Sequence, residues 1–143
     1  MAITMKNCKV EMSAGGTSWT DVSDDANMVT VDGFELETDN QPVFGESKRI
    51  QTAGGFAIGT VKVRALYAES TSGAWGLANT AFEGRTPLYI RWSPQGGSTG
   101  NYQYTTDAGY VKSPVWPGGE ADAKMLMPEI TLETPWVTKA AVA

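Results

Sequence analysis

The chain has 143 residues, one cysteine, no histidine and a net charge of −5. That length fits one domain, 1–143, with a core that needs no staples, and the composition excludes an intrachain disulfide and the usual histidine base or metal ligand. The acidic balance argues against a general nucleic-acid binder, no run of 18 apolar residues is present to span a bilayer, and the N-terminus lacks a signal pattern, so cytosolic synthesis is expected.

Strand periodicity runs through most of the chain. Residues 7–13, NCKVEMS, alternate Cys8, Val10 and Met12 against Lys9 and Glu11, with Cys8 read as an inert core thiol. Residues 27–37, NMVTVDGFELE, switch parity across Asp32-Gly33, where a bulge or tight turn would restore one buried face. Residues 37–55, ETDNQPVFGESKRIQTAGG, form a long polar connection with no secondary structure of its own, which is unusual and tends to be functional or disordered. Residues 57–67 place Val61, Val63, Ala65 and Tyr67 opposite Thr60, Lys62 and Arg64. The 72–83 segment has Ala74, Leu77, Ala78, Ala81 and Phe82 at helical spacing, with Ser72 as N-cap and Gly84 as stop. Gly76 weakens that helix by about 1 kcal/mol, so it depends on packing.

Residues 87–92 put Leu88, Ile90 and Trp92 on one face, and 101–105 and 109–116 give two further short strands. Residues 124–136 set Leu126, Ile130, Leu132 and Trp136 against Glu129, Thr131 and Glu133, and Pro128 marks an edge or bulge there. Trp75, Trp92 and Tyr67 read as core, whereas Trp116 and Trp136 flank prolines and either cap the core or dock on a neighbour. The sum is mainly β: a two-sheet sandwich or barrel with one short flanking helix and a long protruding early loop.

Charge is unevenly spread. Between Val10 and Ser47 stand nine acids (Glu11, Asp21, Asp24, Asp25, Asp32, Glu35, Glu37, Asp39 and Glu46) and no Lys or Arg. From Lys48 to Lys112 seven bases face three acids. Such asymmetry suits a face that repels polyanions beside another that pairs with a sibling subunit.

Catalytic signals are weak. Cys8 has no partner base, and carboxylate pairs of glycosidase type are undetectable in one sequence. Residues 21–27, DVSDDAN, lack the Gly and final Glu of a calcium loop. The glycine-rich 92–101 segment lacks the Gly-Lys-Ser/Thr ending of a phosphate cradle and reads as a hairpin loop. No enzyme activity, cofactor or metal is expected.

The order of features carries a likeness. SWTDVSD is followed by a strand entering a long polar loop, then GESKRIQTAGGFAIGTVKVRALYAE, a short helix with AWGLANTAFEGRTPLYIRWSPQG, and YQYTTDAGYVKSPVWPGGEADAKMLMPEITLETP. The best-matching pieces are the helix followed by a strand ending in Arg-Trp-Ser-Pro, the Tyr-Val-Lys-Ser strand, and the late Glu-Ile-Thr-Leu-Glu strand. Over nearly its whole length the chain resembles the major tail (tail tube) proteins of long-tailed bacteriophages.

That resemblance implies a structural virion protein whose copies form hexameric rings that stack into a tube for DNA ejection. It implies assembly in the host bacterial cytoplasm, a place in the virion tail, and as partners the chain itself, a tape-measure protein, a tail terminator and baseplate proteins. DNA would pass transiently, with no membrane binding. The long loop would leave its own subunit and lie on the next ring or neighbour, through Asn40, Gln41, Pro42, Val43, Phe44, Gly45, Glu46, Ser47, Lys48 and Arg49. Val43 and Phe44 would be its anchors, and Lys48 and Arg49 would pair with acids on an adjacent copy. Candidates for a DNA-repelling lumen are Glu35, Glu37, Asp39, Glu129 and Glu133, although a lining from Lys62, Arg64 and Arg91 would contradict repulsion. The chain ends soon after Trp136, so no added C-terminal immunoglobulin-like domain is expected. The rivals are a tail terminator, baseplate or secretion-system tube ring protein, and a β-sandwich carbohydrate-binding module.

Overall fold

The computed structural model describes residues 4–45, 47–122 and 124–143. After a 3-10 turn at Met5–Asn7 come β1 (Lys9–Ser13), β2 (Thr20–Asp21), β3 (Ala26–Gly33), β4 (Leu36–Gln41), β5 (Ile50–Phe56) and β6 (Gly59–Ala65). Helix α1 (Ala74–Gly84) precedes β7 (Tyr89–Ser93), β8 (Tyr102–Thr106), β9 (Tyr110–Val111), β10 (Glu129–Thr134) and β11 (Val137–Ala141). The strands make a five-stranded sheet ordered β11-β8-β7-β1-β2, a four-stranded sheet ordered β3-β6-β10-β9, and a separate β4-β5 pair, all antiparallel.

The sandwich follows from the period-two pattern. Val10 and Met12 of β1, Ile90 and Trp92 of β7, Val61, Val63 and Ala65 of β6, and Ile130 and Leu132 of β10 all point inward and are buried. Tyr104 stacks on Trp92 at 5.6 Å within the same layer. Helix α1 presents Ala74, Ala78 and Ala81 to the core, small residues that let its backbone approach closely. It touches β1 of one sheet and β9 of the other.

Several details depart from the sequence reading. The helix begins at Ala74 after Gly73, not after a Ser72 cap, and ends in Arg85, whose φ of 55° is left-handed. Gly76 is required: a β-carbon there would lie 2.3 Å from the Ser70 carbonyl. Pro128 sits just before β10, a central strand, with its carbonyl accepting from Ala65 N at 3.2 Å. Its missing N–H therefore falls outside the ladder, at a strand start and not at an edge or bulge. The strand expected over 109–116 shrinks to Tyr110–Val111, and Leu126 and Trp136 lie outside β10. The short β2 and β11 have no counterpart in the reading.

The largest departure concerns 37–55. That segment is no structureless loop: it is most of a β-hairpin, with Leu36 opposite Phe56, Thr38 opposite Ala53, Asp39 opposite Thr52, Asn40 opposite Gln51 and Gln41 opposite Ile50. The turn foreseen at Asp32-Gly33 is present, with φ of 82° at Gly33 and 58° at Phe34. It does not restore a buried face. It ends β3 and carries the chain off the four-stranded sheet into the hairpin.

Candidate assembly surfaces

Every residue of β4 and β5 is exposed. The hairpin is held internally by its ladder, by Arg49 donating to Asn40 Oδ1 at 3.3 Å, and by Gln41 donating to Asp39 Oδ2 at 3.2 Å. Pro42, Val43, Phe44 and Gly45 form the tip with Ser47, Lys48 and Arg49, and Glu46 lies outside the described residues. Phe44 is fully exposed, and Leu36, Ile50 and Phe56 are about half exposed. Of the ten residues expected in the inter-subunit arm, Asn40 and Gln41 are therefore strand residues and the described others make its end.

The base of the hairpin is welded to the body. Trp136 packs on Phe56 at 4.6 Å and edge-on to Phe34 at 6.2 Å, and Ala57 N donates to the Glu35 carbonyl at 2.8 Å. The Phe34 ring lies over Gly59, where a β-carbon would sit 2.5 Å from that ring and from the Asp32 carbonyl. Trp136 thus docks the arm to its own body, while Trp116 packs edge-on against Phe82 of the helix at 6.1 Å.

The proposed lumen acids do not come together. Glu35, Glu37 and Asp39 belong to the hairpin and its entry, whereas Glu129 and Glu133 stand on the outer face of the four-stranded sheet. There Glu129 faces Lys62 at 4.0 Å and Glu133 faces Lys112 at 3.2 Å. Arg64 shares that face and donates to Asn27 Oδ1 at 3.0 Å. On this face strand pairing sets Glu129 opposite Arg64, Thr131 opposite Lys62 and Glu133 opposite Thr60, so bases interleave with acids.

Arg91 lies elsewhere, on the five-stranded sheet. Its guanidinium makes a two-pronged bond to Glu11 (3.1 and 2.9 Å) and sits 4.2 Å over the Trp19 ring. Glu11, which the alternation assigned to an open face, is buried beneath this pair. The signal missed is that Arg91 and Glu11 are directly opposite in the β1–β7 register.

Two other groups are tuned by surroundings. Ser23 N and Oγ both donate to Asp21, holding that carboxyl below its usual range. Burial pushes the Cys8 thiol up, against a weaker opposing hydrogen bond from the Ser93 backbone. Among the described residues no group of three His, Cys, Asp or Glu side chains is placed to hold a metal, and no helix is long and apolar enough to cross a membrane.

No family model matches the chain, and no curated protein matches it. Solved structures do. A chain of an extracellular contractile injection system, PVC sheath/tube terminator in the extended state, aligns with TM-score 0.70 at 15% identity over 99% of this chain and 98% of that one. The tail of an empty GTA particle with C6 symmetry aligns with TM-score 0.71 at 10% identity, over 99% and 100%. The anti-feeding prophage tube-terminating cap aligns with TM-score 0.66 at 12% identity, over 99% and 92%. The fold is shared with chains of these tail-like assemblies. Identities this low establish the architecture and nothing finer.

Proposed function

We propose that this chain is a structural subunit of a phage-tail-like tube, six copies closing a ring and rings stacking into a hollow conduit, with no reaction carried out on it. One observation carries the reading: the β4–β5 hairpin buries none of its strand residues within its own subunit. A lone two-stranded hairpin is marginal in water, and this one displays Leu36, Phe44, Ile50 and Phe56. Burial of such a projection on another copy is what a head-to-tail contact supplies. The similarity to a C6-symmetric tail supports the sixfold ring.

In this reading the outer face of the four-stranded sheet lines the conduit, where Lys62, Glu129, Lys112 and Glu133 cancel in pairs. DNA passes because the wall is balanced, not because it is acidic. A tape-measure protein, a terminator and a baseplate complete the particle, which is assembled in the host cytoplasm.

A second reading has specific support: the similar structures include a sheath/tube terminator and a tube-terminating cap. A terminator forms one ring and stops. Electron microscopy of the concentrated protein separates the two. Regular tubes are expected, single rings that never stack would select the terminator, and a lasting monomer would overturn both. Removal of 40–52 should leave a folded protein that forms no tubes, and normal tubes from that variant would end the arm's role.

A further inference from the structure

The two ends of β3 are differently equipped. At its Gly33 end the hairpin departs. At its Ala26 end a cavity of about 350 Å³ opens between β1 and β3, walled by Met5, Cys8, Val10, Met28 and Val29, with Lys6 and Ser23 among its polar lining. Seven residue steps of extended chain, from Ala26 to Gly33, separate them, roughly 23 Å at strand rise.

We propose that the cavity at the start of β3 receives the hairpin tip of a copy in the adjacent ring, with the Phe44 ring among Met5, Cys8 and Met28, and Lys48 and Arg49 against Asp24 and Asp25. This rests on the stacking proposed above and names its receiving site. A space of about 150 Å³ is enough to hold a benzene-sized ring, so the cavity has room for Phe44 on its Met5, Cys8 and Met28 side, with Lys6, Ser23 and Asn27 making the rest of the wall polar. Methionine walls suit an aromatic guest, because thioethers adapt their shape and contact ring edges favourably.

Charge points the same way. Asp24 and Asp25 lie in the turn between β2 and β3, next to the cavity residue Ser23. Among the described residues neither makes an ion pair, and neither Lys48 nor Arg49 has a carboxylate partner. The other groove of comparable size, beside the end of α1, is lined by Ala81, Phe82, Glu83, Arg85, Tyr110 and Val111. Each lining holds one cation, Arg85 beside Glu83 there and Lys6 in the first, so the flanking Asp24 and Asp25 are what favour the first. A knob at one end of a strand and a hole at the other make a heterologous contact that propagates without closing, as stacking requires.

The chain's single cysteine supplies the test. Phe44→Cys places a second thiol at the tip, and a bond from position 44 to Cys8 joins different copies. Diamide takes the two electrons and two protons released as the disulfide forms. Expected are a ladder of covalent multimers on a non-reducing gel and a 44–8 disulfide peptide by mass spectrometry, both lost when Cys8→Ser is added. Stacked tubes by microscopy without any 44–8 linkage would overturn the plug while leaving the tube reading intact. Linkage that appears only once residues 1–3 are removed would show that the chain's own N-terminus fills the cavity, and also overturns it. Should Phe44→Cys stack poorly, charge reversal decides: Lys48→Glu with Arg49→Glu should block stacking, and Asp24→Lys with Asp25→Lys in the same chain should restore it. Folded double-swap protein that stays unstacked counts against the site.

Discussion

β5 and β6 are both seven residues long, both antiparallel-paired, and only two residues apart in the chain. β6 buries every second side chain between two sheets; β5 buries none. Both satisfy backbone hydrogen bonds along a ladder, yet only β6 takes its apolar side chains fully out of water, the dominant favourable contribution in folding, while β5 goes no further than Phe56 leaning on Trp136. Stability therefore resides in the sandwich. The hairpin is a strand pair that leaves its side chains largely in water.

The strongest way to break this comparison is to delete volume on each side of it. Leu132→Ala removes a fully buried side chain between β6 and β9 and should cost about 2–5 kcal/mol. Ile50→Ala on the hairpin should change stability by no more than about 0.5 kcal/mol. Urea denaturation of the unassembled protein measures both. A large loss from Ile50→Ala would mean that the arm is part of the folding unit.

The junction between the two regions comes next. Gly59→Ala puts a carbon against the Phe34 ring and the Asp32 carbonyl, both at 2.5 Å. The Phe34 ring can move off but the Asp32 carbonyl is backbone, so the end of the β3–β6 ladder must shift too, and the cost should be about 1–3 kcal/mol. Because Phe34 meets Trp136, the hairpin should become more susceptible to limited proteolysis while the body stays resistant. Equal susceptibility of both would show that the junction does not set the arm.

Ion pairs sharpen the contrast between interior and surface. Glu11→Gln keeps the shape of the buried Glu11–Arg91 pair and weakens its charge-assisted bonds, at about 1–2 kcal/mol that salt hardly changes. Lys112→Ala breaks the exposed pair with Glu133 and should cost well under about 1 kcal/mol, less still in salt. Thermal melts at low and high salt distinguish them.

The body was legible in the sequence because burial writes itself as alternation: Val61, Val63 and Ala65, Leu88, Ile90 and Trp92, and Ile130 and Leu132 were all placed on the inner face. The hairpin was not, for the same reason. Asp39, Asn40, Gln51 and Thr52 pair with each other but face water on both sides, so nothing selects an apolar period. Its protrusion could be read from length and polarity, and its strands could not. The partition of the lumen candidates was hidden too, since Lys112 reaches Glu133 only through the β9–β10 pairing. Glu11 was misplaced because a carboxylate on an outer face is buried only when another residue folds over it, and the Trp19–Arg91 cover comes from distant parts of the chain.

The finest effect sought is the proton-linked part of what one turn of the sandwich contributes to stability. Ser23 accepts from Val10 N at 2.9 Å and donates to Asp21, joining the β2–β3 turn to β1. Ser23→Ala should cost about 1 kcal/mol at neutral pH. Part of that loss is linked to protons. The Asp21 carboxyl is depressed by the Ser23 hydrogen bonds, so its contribution is fully present above the unfolded value and is lost as pH falls through the folded one. The stability gap between wild type and variant should therefore be constant near neutrality and narrow in acid, down to the part owed to the Val10 bond. Melting temperatures from about pH 7 to about pH 2 measure it. A gap that stays level in acid would assign the whole effect to the Val10 bond and leave Asp21 a bystander on the rim of the turn.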